Sequence, residues 1–272
     1  MLASFLIWKD HAGFVMQLPR ELQPGIQKRL SMYVLRSKVK LADNADSLVR
    51  IGLSGENAER LVSEALEAKN GVPPLKEGVH MKLGAFHGER AGVLRLAENR
   101  FELVTSAERA PELWDHLRQA AVPVGACCWS WLDIRAGIPV IMSSTQEQFI
   151  PQMVNLEAIG GVSFRKGCYP GQEIVARTQY LGKIKRRMYL ANIRPQPVSL
   201  AVGAGDELFS SEMGDQSAGM IVNAACSPYG GVDALAVMQT TSAGEGRESK
   251  IRWRSLDGPS LAFMPLPYPV EE

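Results

Sequence analysis

The chain has 272 residues, a net charge of +1 and 46% hydrophobic residues, which is ordinary for a folded protein with a sizeable core. The small net charge excludes strong electrostatic steering by the molecule as a whole. No segment approaches the roughly 20 apolar residues of a membrane helix, and no basic segment with a cleavage site opens the chain. The four cysteines form no C-x-x-C pair and the four histidines are scattered, which disfavours a zinc site or a disulfide framework. We therefore expect a cytoplasmic protein without a membrane anchor.

The first part of the chain predicts a hairpin followed by a helix. Residues 2–8 and 13–18 are apolar strands around a turn, and residues 25–36 place apolar side chains on one helical face. A short strand is expected at 39–41. The first strand follows Met1 with no turn or capping residue before it, so we expect the start of the chain to be truncated.

Residues 46–122 alternate strands and helices. A strand at 48–53 precedes a helix with apolar residues at spacings of 3 and 4, and a meander follows at 81–105. Ser106 is predicted to cap the next helix. This β-α-β-β-α rhythm is typical of a ferredoxin-like unit.

The last third of the chain predicts a short helix and then a small barrel. The helix, at 129–136, is expected to stop at Gly137. Past Ile184, short alternating strands separated by Gly, Pro and Ser clusters indicate a small antiparallel β-barrel. Its strands are predicted at 187–193, 218–224, 234–240 and 251–254, with turns at 194–197 and 242–248.

An octapeptide at 166–173 combines an ammonium, a thiol, an amide and a carboxylate around two glycines. Its residues are Lys166, Gly167, Cys168, Tyr169, Pro170, Gly171, Gln172 and Glu173. The glycines permit positive φ or the close approach of a ligand, while Arg165 and Lys166 favour the Cys168 thiolate. The alternative is a surface turn that happens to contain a cysteine.

Positive charge is concentrated around the same octapeptide. Residues 165–187, called here the 165–187 segment, contain seven basic residues against the single acid Glu173. This excess predicts an anionic ligand or partner. The alternative is a solvated strand edge protected by Lys and Arg.

Trp129 and Trp131 lie two positions apart on the predicted helix. Side chains at that spacing point in nearly opposite directions because the helical period is 3.6 residues. One indole is therefore expected to anchor the core, and the other to line a surface or cavity.

The stretch GGVSFRKGCYPGQEIVARTQY at 160–180 resembles the K-G-C-Y-x-G-Q-E signature of the YgfZ-type, GcvT-like folate-binding proteins. The resemblance extends to segments at 36–39, 129–141, 148–155 and 265–268. Pro170 stands where the family usually has threonine, which removes a hydroxyl and a backbone donor. A β-α-β lead-in of the family pattern is also absent before Met1.

The resemblance implies an α+β fold of GcvT-like architecture with three domains. Residues 1–45 with 124–184 would form the folate-binding domain, 46–123 a ferredoxin-like α/β domain, and 185–272 the C-terminal antiparallel β-barrel.

The resemblance also implies a function. It predicts an accessory protein, not an enzyme, that binds tetrahydrofolate or a derivative and supports iron-sulfur enzymes or assembly proteins, and through them tRNA modification. Trp129 is carried over as a folate contact, and the octapeptide as a functional motif in which Cys168 serves redox, cluster-handling or structural purposes. The protein is expected to be a monomer.

Three amides, Gln148, Gln152 and Asn155, lie close together in the sequence. They are expected either to bind the polar edge of a pterin or to tie down a loop. Glu157 and Glu173 are further candidates for a carboxylate that binds the pterin.

Two other functions remain open. One is a folate-dependent aminomethyltransferase, whose fold the family shares, although transferases lack the Cys-Tyr and Gln-Glu neighbours of the octapeptide. The other is an RNA-binding module that uses the 165–187 segment, which lacks the interleaved surface aromatics that stack on bases.

Overall fold

The structure, a computed structural model, describes residues 1–10, 13–66, 80–86, 89–167, 171–181, 184–194, 201–214, 216–240 and 250–270. The chain divides into two compact units, one of residues Phe5–Val124 and the other of Met1–Ser4 with Gly125–Glu272. It is a mixed α/β protein, and the strand pairs that the structure describes are antiparallel. The division into three domains stays a prediction.

In its described residues, the unit Phe5–Val124 contains a hairpin, a four-stranded sheet and three α-helices. In chain order its elements are β1 (Leu6–Asp10), β2 (Gly13–Gln17), α1 (Gln23–Ser31), β3 (Leu48–Ser54), α2 (Ala58–Ala65), β4 (His80–Phe86), β5 (Glu89–Ala97), β6 (Arg100–Ser106) and α3 (Ala110–Leu117). The strands of the sheet are ordered β3-β6-β5-β4. The predicted hairpin, strand, helix and meander are confirmed, and the order β-α-β-β-β-α has one strand more than the expected rhythm.

The sheet of this unit is buried on both faces. Phe101 and Leu103 of β6 pack with α2 and α3 on one face. Leu94 and Val104 pack with Trp8 of the hairpin on the other face. Because successive side chains of a strand point to opposite faces, the near-continuous apolar run of β6 serves both cores.

Three local predictions in this unit are wrong. Residues 39–41 form no strand, because they are largely exposed and have no partner strand among the described residues. Helix α1 ends at Ser31, not at residue 36. Helix α3 begins at Ala110, and Ser106 does not cap it, because Ser106 is engaged opposite Leu48 in the β3–β6 ladder.

The second unit is built around a six-stranded sheet. Its elements are α4 (Ala126–Arg135), α5 (Gln172–Leu181), β7 (Arg186–Ile193), β8 (Glu207–Ser210), β9 (Ser217–Cys226), β10 (Val232–Gln239), β11 (Ile251–Trp253) and β12 (Leu261–Met264). The strand order is β11-β8-β9-β10-β7-β12, and an isolated bridge between Arg252 and Ser260 links the two ends of the sheet. The sheet is therefore curled into a half-barrel, in line with the small barrel expected from the sequence.

The half-barrel has apolar residues on both faces of its central strands. Ile221, Ala236 and Trp253 belong to its interior core. Leu235 and Val237 alternate with that set on β10 and are equally buried. Helix α4 packs on β9 and β10, and this contact fixes the position of the helix that carries Trp129 and Trp131.

None of the helices in the described part of the chain has the length and apolar character needed to cross a bilayer. In the same residues, no group of three or more His, Cys, Asp or Glu side chains is arranged to hold a metal ion.

Candidate functional site

Helix α4 stops before Gly137, as the sequence predicted, although it begins at Ala126 and not at residue 129. Its end is a Schellman motif. The N–H of Gly137 donates to the carbonyl of Ile134 at 2.9 Å, and the N–H of Ile138 donates to Asp133 at 3.0 Å. Gly137 has a φ of +66°, a conformation that glycine adopts at little cost. The residue after the helix is therefore fixed by backbone hydrogen bonds.

Tyr268 packs directly on this glycine. A Cβ at position 137 would lie 2.6 Å from the Tyr268 ring, and the Tyr268 hydroxyl donates to the Gly137 carbonyl at 2.7 Å. Burial raises the pKa of Tyr268 to about 12, while a hydrogen bond with Asn155 partly opposes the rise and the charge of Glu157 adds to it. The hydroxyl therefore stays protonated and remains a donor at neutral pH.

The two tryptophans of α4 have different surroundings. Trp131 donates from Nε1 to Oδ2 of Asp233 at 2.7 Å, and its ring meets Tyr229 edge-on at 6.1 Å. Asp233 is 2% exposed and also accepts from Asn192 at 2.7 Å, so Trp131 is anchored to the half-barrel. Trp129 lies half-buried on the same helix. Its role as a folate contact stays a prediction.

Two of the three predicted amides are fully buried and hold neighbouring elements together. Gln152 lies in the 3-10 turn Pro151–Val154 and donates from Nε2 to the Val175 carbonyl of α5 at 2.7 Å. Asn155, left-handed at a φ of 54°, donates from Nδ2 to the Met188 carbonyl of β7 at 2.9 Å. Gln148 is exposed and makes no such link among the described residues. The amide nitrogens thus tie down a loop, one of the two roles expected from the sequence.

Arg187 is the cation of this buried network. It is 7% exposed, donates to the Gln152 carbonyl at 2.9 Å and forms a salt bridge with Glu157. A charge pair with little solvent access needs such added hydrogen bonds to offset the cost of desolvation. One member of the 165–187 segment is therefore an interior residue and not part of a charged surface.

Three buried oxygens between residues 152 and 157 have no hydrogen-bond partner among the described residues. They are Gln152 Oε1, Asn155 Oδ1 and Glu157 Oε2, and we call them the acceptor cluster. Leaving a buried acceptor unsatisfied costs about 1–3 kcal/mol, and most buried polar atoms in proteins have a partner. The cluster therefore requires donors, supplied by water or by the N–H groups of a ligand.

The structure describes both ends of the octapeptide. Lys166 and Gly167 are exposed, and Gly171 has a φ of +84° with open space where a side chain would lie. Gln172 and Glu173 form the first residues of α5. The expected positive φ is confirmed at Gly171, whereas Gly167 is not in the left-handed region. Cys168 and Tyr169 lie outside the described residues, as does Pro170.

The remaining described cations of the 165–187 segment are exposed. They are Arg165, Lys166, Arg177, Lys185 and Arg186. The segment contains helix α5 and the start of β7, so it is not the single strand edge that was the alternative reading. Its surface still carries a local excess of positive charge that suits an anionic ligand.

Sequence reasoning missed three residues of this region. Arg187 was counted as a surface cation, and its burial depends on Glu157, thirty positions away. Asp233 gave no signal, because its partner Trp131 is distant along the chain. Tyr268 was identified only as part of the segment 265–268 that resembles the family, and its contact with Gly137 was not predicted.

Comparisons with known proteins bear on the whole chain. No family model matches it. In alignment with the tRNA-modifying protein YgfZ of Klebsiella pneumoniae (strain 342), it is 34% identical over 277 residues. That alignment covers 100% of the chain and 79% of the relative.

Proposed function

The chain belongs to the family of the tRNA-modifying protein YgfZ, and on that premise we propose that it is a folate-binding accessory protein with a role in tRNA modification. Its ligand is tetrahydrofolate or a derivative. It supports iron-sulfur enzymes in the cytoplasm and does not itself catalyse a reaction, and its architecture is GcvT-like. The observation that carries the proposal is the full-length similarity, within which the octapeptide matches the family signature.

The acceptor cluster supports a reduced folate as the ligand. A pterin carries amino and ring N–H donors along one edge, and donors are what the three oxygens lack. A carboxylate such as that of Glu157 forms stronger hydrogen bonds with such donors than a neutral acceptor does. The acceptors on the protein therefore match the N–H donors of the ligand in kind.

The indole of Trp129 is the proposed stacking partner for the aromatic rings of the same ligand. A pterin or aminobenzoyl ring is a flat π-system that stacks on an indole, and Trp129 places a half-buried indole on α4. The glutamyl tail is anionic, and the exposed cations Arg165, Lys166 and Arg177 suit it. When bound, a reduced folate supplies a carrier of one-carbon units, while these residues bind and orient it.

Replacing Trp129 tests the ligand. Trp129→Ala should weaken the binding of 5-formyltetrahydrofolate by about 1–3 kcal/mol, the range for removing an aromatic partner of a stacked heterocycle. Titration calorimetry is the suitable measurement, because the variant lacks the fluorophore that would report binding.

Trp131→Phe is the matched control. It keeps an aromatic ring but removes the hydrogen bond to Asp233, so it should lower the free energy of unfolding by about 1–2 kcal/mol and leave folate affinity unchanged. If Trp129→Ala bound the ligand as tightly as the wild type, or if only Trp131→Phe weakened binding, the assignment of Trp129 would be wrong.

Replacing Cys168 tests the functional motif. Cys168→Ser should leave folding and folate binding nearly intact but abolish complementation of a deletion strain. Two cations precede this thiol, and cations favour the reactive thiolate. Alkylation from pH 5 to 9 should be followed by peptide mass spectrometry, because the exposed thiols of Cys127, Cys128 and Cys226 can react as well.

Cys226→Ser is the control for this experiment, since it removes an exposed thiol far from the octapeptide in sequence. It should complement fully. Full complementation by Cys168→Ser, with slow labelling that does not respond to pH, would establish a structural role for Cys168.

A further inference from the structure

A second basic stretch lies in the other compact unit. Residues 28–40, called here the 28–40 segment, cover the end of α1 and the irregular chain that follows it. The segment contains five cations and no acidic residue. The cations are Lys28, Arg29, Arg36, Lys38 and Lys40.

Nearly the whole 28–40 segment is exposed, including its apolar side chains. Tyr33 is 62% exposed, Met32 61%, Leu35 85% and Val39 55%, and only Val34 is half-buried. Contiguous apolar exposure of this kind marks interaction sites in folded proteins. The segment therefore presents apolar groups to solvent between its charges.

None of the five cations pairs with a carboxylate among the described residues, in contrast with the cations on the helices of the same unit. Arg60 pairs with Glu64 on α2, and Arg118 pairs with Asp115 beside α3. A cluster of cations without acidic partners attracts a polyanion, because no internal charge neutralises it. This charge complementarity limits the partner to an anionic molecule.

The combination of cations with an aromatic side chain favours single-stranded nucleic acid over a membrane surface as the polyanion. Single-stranded nucleic acid binds to grooves or segments in which cations contact the phosphates and aromatic rings stack on the bases, and Tyr33 supplies such a ring among the cations. A helix that binds a membrane surface instead separates a broad apolar face from a basic one. Helix α1 has only Ile26 and Leu30 as large apolar residues. The other apolar side chains, the run at 32–35 and Val39, lie outside the helix in irregular chain, beside the cations at 36, 38 and 40.

We propose that the 28–40 segment binds single-stranded RNA directly, with its cations on the phosphates and Tyr33 stacked on a base. This goes beyond the proposed function, in which contact with tRNA is indirect. It also does not depend on folate, because the segment shares no residue with Trp129 or the acceptor cluster, to which the ligand is assigned.

The test is the affinity of the full chain for a fluorescein-labelled, unmodified tRNA anticodon stem-loop, measured by anisotropy at several salt concentrations. Each phosphate contact on a single strand contributes about 0.7 to the slope of log affinity against log salt. The triple variant Arg36→Gln, Lys38→Gln, Lys40→Gln should lower that slope by about 2 and weaken binding roughly 100-fold at about 0.1 M salt. Tyr33→Ala should weaken binding roughly tenfold with the slope unchanged.

The control is the triple variant Arg60→Gln, Arg109→Gln, Arg118→Gln. It removes the same charge from the same unit, but at cations that already pair with Glu64, Glu112 and Asp115. Its affinity for the stem-loop should stay within about a factor of two, because these cations already pair with carboxylates, and exposed ion pairs contribute little in the presence of salt. All the substituted side chains are at least partly exposed, and thermal melts should show that the variants remain folded.

Three results would overturn the proposal. The first is no binding of the stem-loop, or an equal loss in the control variant. The second is equal affinity for a fully double-stranded RNA with no effect of Tyr33→Ala. The third is binding to phosphatidylglycerol vesicles in place of RNA, which would make the segment a membrane contact. None of these results would alter the folate titration, so the two proposals fail independently.

Discussion

The two basic segments of this chain are similar in composition but differ in their structural surroundings. The 165–187 segment reaches into an interior, where Arg187 is 7% exposed and bound to Glu157 and the Gln152 carbonyl. The 28–40 segment stays in solvent, and Arg36 has no acidic partner among the described residues. The difference teaches that a count of charges does not locate a surface. What decides burial is whether the fold brings acceptors to the cation.

The largest effect expected from this contrast is at Arg187. Arg187→Gln should lower the free energy of unfolding by about 3 kcal/mol, because it leaves the largely buried Glu157 without its cation. Urea denaturation measures the change. A loss below about 1 kcal/mol would mean that solvent already screens the pair.

A smaller effect, which appears only at high pH, is expected at Tyr268 beside the same network. Its folded pKa of about 12 lies above the value of about 10 for an unfolded chain. The stabilising contribution is therefore complete below pH 10 and is lost as pH rises through 12, by at most about 2.7 kcal/mol in total.

Tyr268→Phe serves as the control for that measurement. The variant should lose the hydrogen bond to Gly137 but show a flatter dependence of unfolding free energy on pH between 10 and 12. An identical alkaline decline in both proteins would assign it to other groups.

The smallest effect completes the comparison. Arg36→Gln, the same substitution as at Arg187, should change the free energy of unfolding by no more than about 0.5 kcal/mol, because the residue is exposed and unpaired among the described residues. Urea denaturation under the conditions used for Arg187→Gln gives the matched value. A loss comparable to that at Arg187 would show that the 28–40 segment is structural.

Local patterns predicted much of the fold. Helix α2 and the meander were found because their apolar spacing is regular and their ends carry turn residues. The stop of α4 was found because Gly137 has to adopt a left-handed conformation. The strands β8 and β12 were missed, and both take their structure from neighbouring strands of the half-barrel.

Less of the candidate site could be predicted, because its contacts also join residues that are distant along the chain. Gln152 and Asn155 were selected because polar amides so close together need partners, and the structure buries both. Their partners are the backbone carbonyls of Val175 and Met188. Every residue has a backbone carbonyl, so no sequence pattern reveals these partners. Arg187 is buried against Glu157 and the Gln152 carbonyl, both at least thirty positions away, so its burial could not be read from local sequence.

The contact between Tyr268 and Gly137 has a consequence for the order in which the protein is completed during synthesis. The two residues are 131 positions apart, and the strands β9 and β10 that support α4 also follow it in the chain. A ribosome therefore releases the helix of Trp129 long before it releases the residues that hold its end. Because domains fold as their parts emerge, this helix reaches its final packing only after β12 and Tyr268 are available. A nascent chain stalled before Tyr268 would carry an α4 whose last turn is not yet secured.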